Sequence, residues 1–349
     1  MTVSLCVIAY NEEKSIRKLL TDIKNQDYDL SKIELVFVDN LSTDNTKKIL
    51  EKFELENIFS FKDIKICTCT THMQSACWNI AIENSTQDVL IRVDAHASIP
   101  TNFVSMNVLT ISQGEFVCGG GRPNRTETDT PWQRTMLTAE ENLFGNFVVY
   151  RKKQSKKQYV TSVFHACYKR EVFTKVGGFN EALGRTEDNE FHYRVRKNGY
   201  KICLSPDIAS YQNIRPTLLK MAKQKYSNGL WIGLTTGVCL ECLNKTYFAP
   251  LLLVLGFLVT GILSFFGLPI LLSIFSFLYL LFILAITVNS LIKSRFTLPF
   301  LLLPLIFCVL HFSYGIGTLI GLVKMPFWKK TISPDVYKRI DDIKKFTLL

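Results

Sequence analysis

Asp94-Ala95-His96 sets a carboxylate and an imidazole one residue apart at the end of Val89-Leu90-Ile91-Arg92-Val93, an apolar run that reads as a buried strand. Oxygen and imidazole ligands on rigid backbone suit a divalent cation that bridges a nucleotide diphosphate. A strand-ending turn uses the same residue types, so the tripeptide alone does not decide between the two. Glu187-Asp188 is a second chemical pair, opening a short helical pattern in which Phe191 and Val195 share a face and Gly199 supplies the stop. Two carboxylates in a first turn satisfy the helix dipole whatever else they do. The tight turn just before them, Val176-Gly177-Gly178-Phe179-Asn180-Glu181, can also floor a pocket.

Such groups need elements that deliver them together. Val3 to Tyr10 is an apolar run, followed by Ile16, Leu19, Leu20 and Ile23 at the i, i+3, i+4, i+7 spacing of an amphipathic helix. Ile33 to Val38 is the next run, and Thr46, Ile49, Leu50 and Phe53 form another helical face. Ile64 to Cys67 and a helix around Ser75 to Glu83 then precede the Val89 to Val93 strand. This alternation predicts an α/β fold with a mostly parallel central sheet covered on both faces. Ligands bind beyond the carboxyl ends of such strands, so Tyr10-Asn11-Glu12, Asp39-Asn40 and Asp94-Ala95-His96 should meet in one crevice. No G-x-G-x-x-G follows the first strand, which argues against an ordinary dinucleotide fold and leaves a metal to hold the phosphates. Gly119-Gly120-Gly121-Arg122 reads either as a flexible turn that lets Arg122 meet a phosphate or as a loop permitting close backbone approach. The stretch from Arg122 to Lys157 reads as loop-rich and mobile. Its Arg151-Lys152-Lys153 and Lys156-Lys157 are either solvated or in contact with membrane or substrate.

The 349 residues exceed what one such core requires, and hydropathy shows what the excess is. Thr246 to Ile292 contains no Asp, Glu, Lys or Arg, and neither does Phe296 to Val323. At about 1.5 Å per residue the first stretch can cross a hydrocarbon layer of about 30 Å twice, turning at Gly267-Leu268-Pro269, and the second can cross once. The expected layout is a soluble domain over residues 1–235, juxtamembrane and transmembrane helices over 236–325 (spans near 246–266, 268–292 and 297–323), and a basic tail over 326–349. No basic leader or cleavage site precedes the first strand, so the soluble domain is expected in the cytoplasm. The ten cysteines form no disulfide-like framework, and Cys239-x-x-Cys242 has no second pair or His partner, as fits a juxtamembrane apolar position. A formal charge of +11 suits lipid headgroups and phosphorylated substrates. No nucleic-acid motif accompanies it.

Five segments together resemble a family 2 glycosyltransferase of the GT-A fold. They are Val7-Ile8-Ala9-Tyr10-Asn11-Glu12-Glu13, Val38 to Thr46, Arg92-Val93-Asp94-Ala95-His96, Val176 to Glu181, and Glu187-Asp188. They stand in the family's order over roughly residues 1 to 235. The Asp-Ala-His variant and the later apolar segments are similar to glucosyltransferases of the succinoglycan-biosynthesis type, which extend a lipid-linked oligosaccharide.

The resemblance implies that Ala9, Asn11 and Glu12 line the nucleotide site and that Asp39 contacts the base. It implies that Asp94 and His96 hold Mn²⁺ or Mg²⁺ with the donor diphosphate, and that Asp188, with Glu187 next to it, is the catalytic base. An inverting single displacement is implied, taking one sugar from a nucleotide sugar, a UDP-sugar for preference, to a lipid-linked saccharide in cell-surface glycan, capsule or exopolysaccharide synthesis. The implied setting is the cytoplasmic (inner) membrane, multi-pass, with other glycan-assembly proteins as partners.

Asn40 stands where the second acid of a common Asp-Asp pair is expected, and His96 where the second acid of Asp-x-Asp is expected. The Gln-x-x-Arg-Trp motif of processive synthases is missing, the comparable stretch running from Lys223 to Trp231, which implies single-sugar addition. On the acceptor side the candidates are Arg122 and Trp231; the latter serves equally as an interfacial anchor. Alternative readings are transfer to a polyprenyl phosphate and a catalytically silent scaffold that binds a sugar nucleotide at the membrane. Three full crossings would put the tail outside, yet Lys324 just before it and Lys329, Lys330, Lys338, Arg339, Lys344 and Lys345 within it are what the positive-inside rule keeps in the cytoplasm. One re-entrant segment would reconcile the two, and Pro304, Gly315, Gly317 and Gly321 make the last segment the better candidate.

Overall fold

A computed structural model describes residues 1–142, 156–293 and 297–346. Arg151, Lys152 and Lys153 of the basic stretch lie outside the described residues. The chain divides into two compact units, one formed by residues 1–123, 150–212 and 332–349 and the other by 124–149 and 213–331. Hydropathy divides the sequence at 235 and 325, whereas compactness groups Leu218–Thr235 with the apolar helices and returns the C-terminal helix to the sheet.

The first unit is an α/β domain. Its main sheet contains β1 (Val3–Ala9), β2 (Ile33–Asp39), β3 (Asp63–Thr68), β4 (Val89–Asp94), β6 (Val117–Gly121), β8 (Gln158–Val160), β9 (Phe164–Lys169) and β10 (Ile202–Ala209). A short pair, β5 (Ala97–Ser98) with β11 (Tyr211–Asn213), lies apart from it. The sheet order is β3-β2-β1-β4-β9-β6-β10-β8. The expected parallel arrangement holds from β3 through β4. Beyond β4 the sheet is mixed, because β9 runs antiparallel to both β4 and β6.

Period-two alternation sends β1 and β2 side chains into two cores. Leu5, Val7, Leu35 and Phe37 join the first core with Ile16, Leu19 and Ile23 of α1 (Ile16–Lys24) and Ile49, Leu50 and Phe53 of α2 (Thr46–Asn57). Cys6, Val36 and Val38 face the second core, with Trp78 and Ile82 of α3 (Gln74–Asn84) and Phe191 of α7 (Glu187–Lys197). Each large aliphatic or aromatic side chain buried this way contributes about 1.5–3 kcal/mol. α4 (Phe103–Ser112), α6 (Arg170–Val176) and α12 (Asp335–Phe346) complete the unit.

Two local expectations need correction. Gly119-Gly120-Gly121 is strand β6 rather than a flexible turn, and the close-approach reading is the one that applies. A Cβ on Gly120 would lie 1.7 Å from the Ile208 carbonyl oxygen, so no larger residue fits against β10. The Arg122–Lys157 stretch is also not all loop. It contains the short strand β7 (Asn124–Arg125) and helix α5 (Pro131–Glu141), where Thr130 accepts the Gln133 amide at 3.2 Å and Pro131 starts the first turn.

In the second unit α5 packs with α8 (Leu218–Thr235), α9 (Ala249–Phe265), α10 (Pro269–Lys293) and α11 (Leu303–Lys330). Lys245–Phe265, Pro269–Ile292 and Leu298–Lys330 are each long and apolar enough to cross a membrane.

Candidate active site

The site is assembled from strand ends. β1 lies between β2 and β4, in a register that pairs Ala9 with Asp39 and Ile8 with Asp94, so these residues share the carboxyl edge. Beyond β1 the chain turns through Asn11 at φ +54°, a left-handed conformation that asparagine tolerates. The Asn11 amide donates to Ser42 Oγ at 3.0 Å, and its side-chain oxygen accepts the Thr43 amide at 2.8 Å. The Glu12 amide donates to Thr46 Oγ1 at 2.8 Å. Loops that are distant in sequence are thereby bonded into one wall of the crevice.

Asp39 is 2% exposed. Its Oδ2 accepts the Ser42 amide at 3.2 Å, while its Oδ1 and the Asn40 Oδ1 are buried without a hydrogen-bond partner among the described residues. Buried acceptors left unpaired are costly. At the end of a strand facing the crevice they suit donors supplied by a ligand, such as the N–H of a nucleobase.

Asp94 faces His165, which the sequence reading did not single out. His165 is buried at φ +45°, its Nδ1 lies 2.8 Å from Ser210 Oγ, and its Nε2 lies 3.2 Å from Asp94 Oδ2. Burial opposes ionisation of Asp94, but His165, His96 and Arg92 outweigh it and hold the carboxyl far below the usual range. Burial keeps His165 itself below its ordinary value, against the pull of Asp94. His96 stands between Glu12 Oε1, 3.2 Å from Nδ1, and Gln212 Nε2, 2.8 Å from Nε2. Gln212 also accepts from Arg122, whose guanidinium lies 3.7 Å from the centre of the Phe164 ring. Arg122 is therefore tied to the Asp94-Ala95-His96 end of the crevice.

Glu187 and Asp188 open α7. Burial and the adjacent Asp188 charge push the Glu187 carboxyl up to about 7, against the pull of Arg92. Asp188 is raised as well, by burial first, with Arg92 opposing. Arg92, on β4 two residues before Asp94, reaches Glu187 Oε1 at 3.5 Å and is sandwiched by Trp78 and Phe179 at 4.2 and 4.6 Å from its guanidinium carbon. It joins the two chemical pairs electrostatically. Asn79 fixes the turn before α7, accepting the Phe179 amide at 2.7 Å and donating to the Phe179 carbonyl at 2.9 Å. Trp231 lies on α8 in the second unit, edge-on to Trp328 with ring centres 6.0 Å apart.

Among the described residues no three His, Cys, Asp or Glu side chains converge as a ready-made metal cage. An open site still fits Mg²⁺ or Mn²⁺ bound chiefly by substrate phosphates and water, to which a protein adds one or two ligands. The carboxyl of Asp94, held ionised by His165, His96 and Arg92, is an oxygen that could serve as such a ligand. His96 can join only by turning away from Glu12 or Gln212, which occupy its two nitrogens.

Fold and crevice together define a GT-A-type transferase. The chain belongs to the family 2 glycosyltransferases: the Glycosyl transferase family 2 model matches residues 4–177 and the Glycosyl transferase family group 2 model matches residues 99–320. Among curated relatives, a dolichyl N-acetyl-α-D-glucosaminyl phosphate 3-β-D-2,3-diacetamido-2,3-dideoxy-β-D-glucuronosyltransferase of Methanococcus voltae is 28% identical, over 92% of this chain and 97% of its own. The succinoglycan biosynthesis protein ExoA of Rhizobium meliloti is 26% identical, over 65% of this chain and 68% of its own. The fold matches that of a mannosyltransferase from Pyrobaculum calidifontis solved with GDP-Man and Mn²⁺, at TM-score 0.56 and 17% identity, covering 93% of this chain and 87% of that one.

Proposed function

We propose that this glycosyltransferase moves one sugar from a nucleotide-sugar donor, a UDP-sugar for preference, to a saccharide carried on a membrane lipid, with inversion at the anomeric carbon. The observation that carries the reading is that one strand edge presents Asp39 and Asp94, while Arg92 links that edge to Glu187-Asp188. Asp39 and the loop through Asn11 and Glu12 bind the nucleotide, beside Ala9. Asp94 would hold a divalent cation with the donor diphosphate, and His96, once turned, would be its second protein ligand. That cation, when bound, neutralises charge on the leaving diphosphate.

Asp188 takes the proton from the acceptor hydroxyl as its oxygen attacks the anomeric carbon from the face opposite the leaving group. The raised affinity of the Glu187-Asp188 pair for protons, set by burial, suits a base working near neutral pH. Glu187 and Arg92 set the charge around Asp188. Arg122, tied to His96 through Gln212, meets a donor or acceptor phosphate. Trp231 is the acceptor-side aromatic or an anchor at the membrane interface.

The Methanococcus voltae relative is named for transfer to a sugar carried on dolichyl phosphate and for a β-linkage, which supports a lipid-linked saccharide over a bare polyprenyl phosphate. The apolar helices support a place in a membrane, which the proposal takes to be the cytoplasmic one with the catalytic unit on its cytoplasmic face. The test is to supply membranes holding the full-length protein with a panel of nucleotide sugars, lipid-linked saccharides and polyprenyl phosphates, and to identify the product by NMR. A β-linked, single-sugar extension of a lipid-linked saccharide is expected. Transfer only to polyprenyl phosphate, or an α-linked product from an α-linked donor, would contradict the proposal.

A further inference from the structure

We infer that the chain crosses the bilayer twice, through α9 and α10 alone, and that α11 stays on the catalytic side paired with α8. The inference rests on packing and is independent of the reaction. Its starting point is the destination of the C-terminus. Ile343 of α12 is fully buried in the second core of the sheet unit. The Gly178 amide donates to the Ile340 carbonyl at 3.1 Å, and Arg339 pairs with Glu83 at 2.5 Å and Glu181 at 3.5 Å. The fit is close: a Cβ on Gly178 would lie 2.3 Å from Ile343 Cδ1, and one on Gly177, at φ +85°, 2.3 Å from the Ile340 oxygen. A C-terminal helix built into the same core as Cys6 of β1 lies on the same side of the membrane as β1. The number of crossings between them is therefore even, and at least one of the three apolar helices does not cross.

α9 and α10 have the character of a crossing pair. They are joined through Phe266–Leu268 and carry no charge from Thr246 to Ile292. Only 17% of an apolar 18-residue stretch in either helix is buried, leaving Leu258, Ile262 and Phe265 on one helix and Ile274, Phe277 and Leu281 on the other exposed. Hydrocarbon is the environment that covers such a surface.

α11 differs, with 44% of an apolar 18-residue stretch buried. A Cβ on Gly317 would lie 2.2 Å from the Tyr226 oxygen, and one on Gly321 2.2 Å from the Leu230 oxygen, so α8 and α11 run parallel with their backbones touching. On α8, Lys220 and Lys223 are exposed and Lys225 bonds Glu140 of α5 at 2.9 Å. Met221, among these lysines, shares a buried cluster with Leu303, Phe307 and Leu310 of α11. If α11 crossed, it would carry those charges into hydrocarbon, where they are expensive. Lying at the interface instead, the pair keeps its lysines among headgroups and water. It also leaves Lys324, Lys329 and Lys330 on the side the positive-inside rule requires.

The experiment places three different epitope tags on the full-length chain, before Met1, between Gly267 and Leu268, and after Leu349, and applies protease to sealed vesicles of either orientation. Complete loss of both terminal tags from one face, with the Gly267 tag lost only from the other, is expected. Loss of the C-terminal tag from the face opposite the N-terminal tag means three crossings and overturns the inference. Loss of all three from one face means no crossing and overturns it equally. A second measurement uses untagged Arg339→Lys membranes and zero-length carbodiimide coupling. A peptide joining the replacement amine to Glu83 is expected, and its absence overturns the docking of α12 on which the parity rests.

Discussion

Replacing Glu187 by glutamine should remove a pH dependence of stability that the wild-type protein carries. The Glu187 side chain is 4% exposed, and its Oε2 has no hydrogen-bond partner among the described residues. Burial and Asp188 raise its carboxyl from 4.5 to about 7. At about 1.4 kcal/mol per pH unit this gap corresponds to about 3 kcal/mol. The sign follows from the direction: the unfolded chain releases this proton near 4.5, and the folded chain holds it until about 7. The stability it contributes is therefore fully present below 4.5, declines as pH rises, and is gone above about 7. Glutamine keeps the shape and the contact with Arg92 but has no proton to lose. Thermal unfolding of both proteins in detergent from pH 4.5 to 8 reads the effect in the difference, where groups remote from the Glu187-Asp188 pair cancel. At about 2–4 °C per kcal/mol the wild-type minus variant difference should fall by about 6–12 °C across that range. Parallel curves would show that the strain of ionisation is not at Glu187 and would refute the electrostatic picture of the site.

Three further outcomes follow from the same geometry. Transfer rate should climb with pH, because burial raises the hold of Asp188 on its proton and that proton must leave before the base can accept one from the acceptor, and a rate that does not rise with pH would contradict this. Asp94→Ala should weaken Mn²⁺ and nucleotide-sugar binding together, by calorimetry, and excess chelator should abolish transfer by the wild type. His165→Ala should cost about 10–100-fold in Mn²⁺-dependent donor affinity, since the imidazole orients Asp94 from 3.2 Å; unchanged affinity would reduce His165 to packing.

Sequence made much of this architecture legible. The period-two strands β1, β2 and β4 and the period-3.6 faces of α1 and α2 were readable because each buries a simple stripe. The strand ends that carry Ala9, Asp39 and Asp94 followed directly from them. His165 was not readable, because its place beside Asp94 depends on β9 inserting antiparallel next to β4 and on a left-handed residue that no local pattern announces. Gln212 reaches His96 from 116 residues away, a distance at which spacing carries no signal. Gly120 looked flexible in isolation because its constraint, the Ile208 carbonyl, is supplied by another strand. The C-terminal lysines and Arg339 looked like a solvated basic tail for a similar reason. The acidic partner of Arg339, Glu83, lies 256 residues earlier, and Ile343 is seated against Gly178, equally far beyond any local pattern.

Asp188→Asn, measured for transfer and for donor binding on the same preparation, tests the proposed mechanism most directly. The amide preserves the shape at the start of α7, where the Asp188 side chain accepts the Asn189 amide at 2.8 Å, but it cannot accept the acceptor's proton. The account predicts a rate lower by about a hundredfold to ten-thousandfold, with nucleotide-sugar affinity nearly unchanged. Near-normal turnover, or a loss of donor binding as large as the loss of rate, would contradict the assignment of Asp188 as the base.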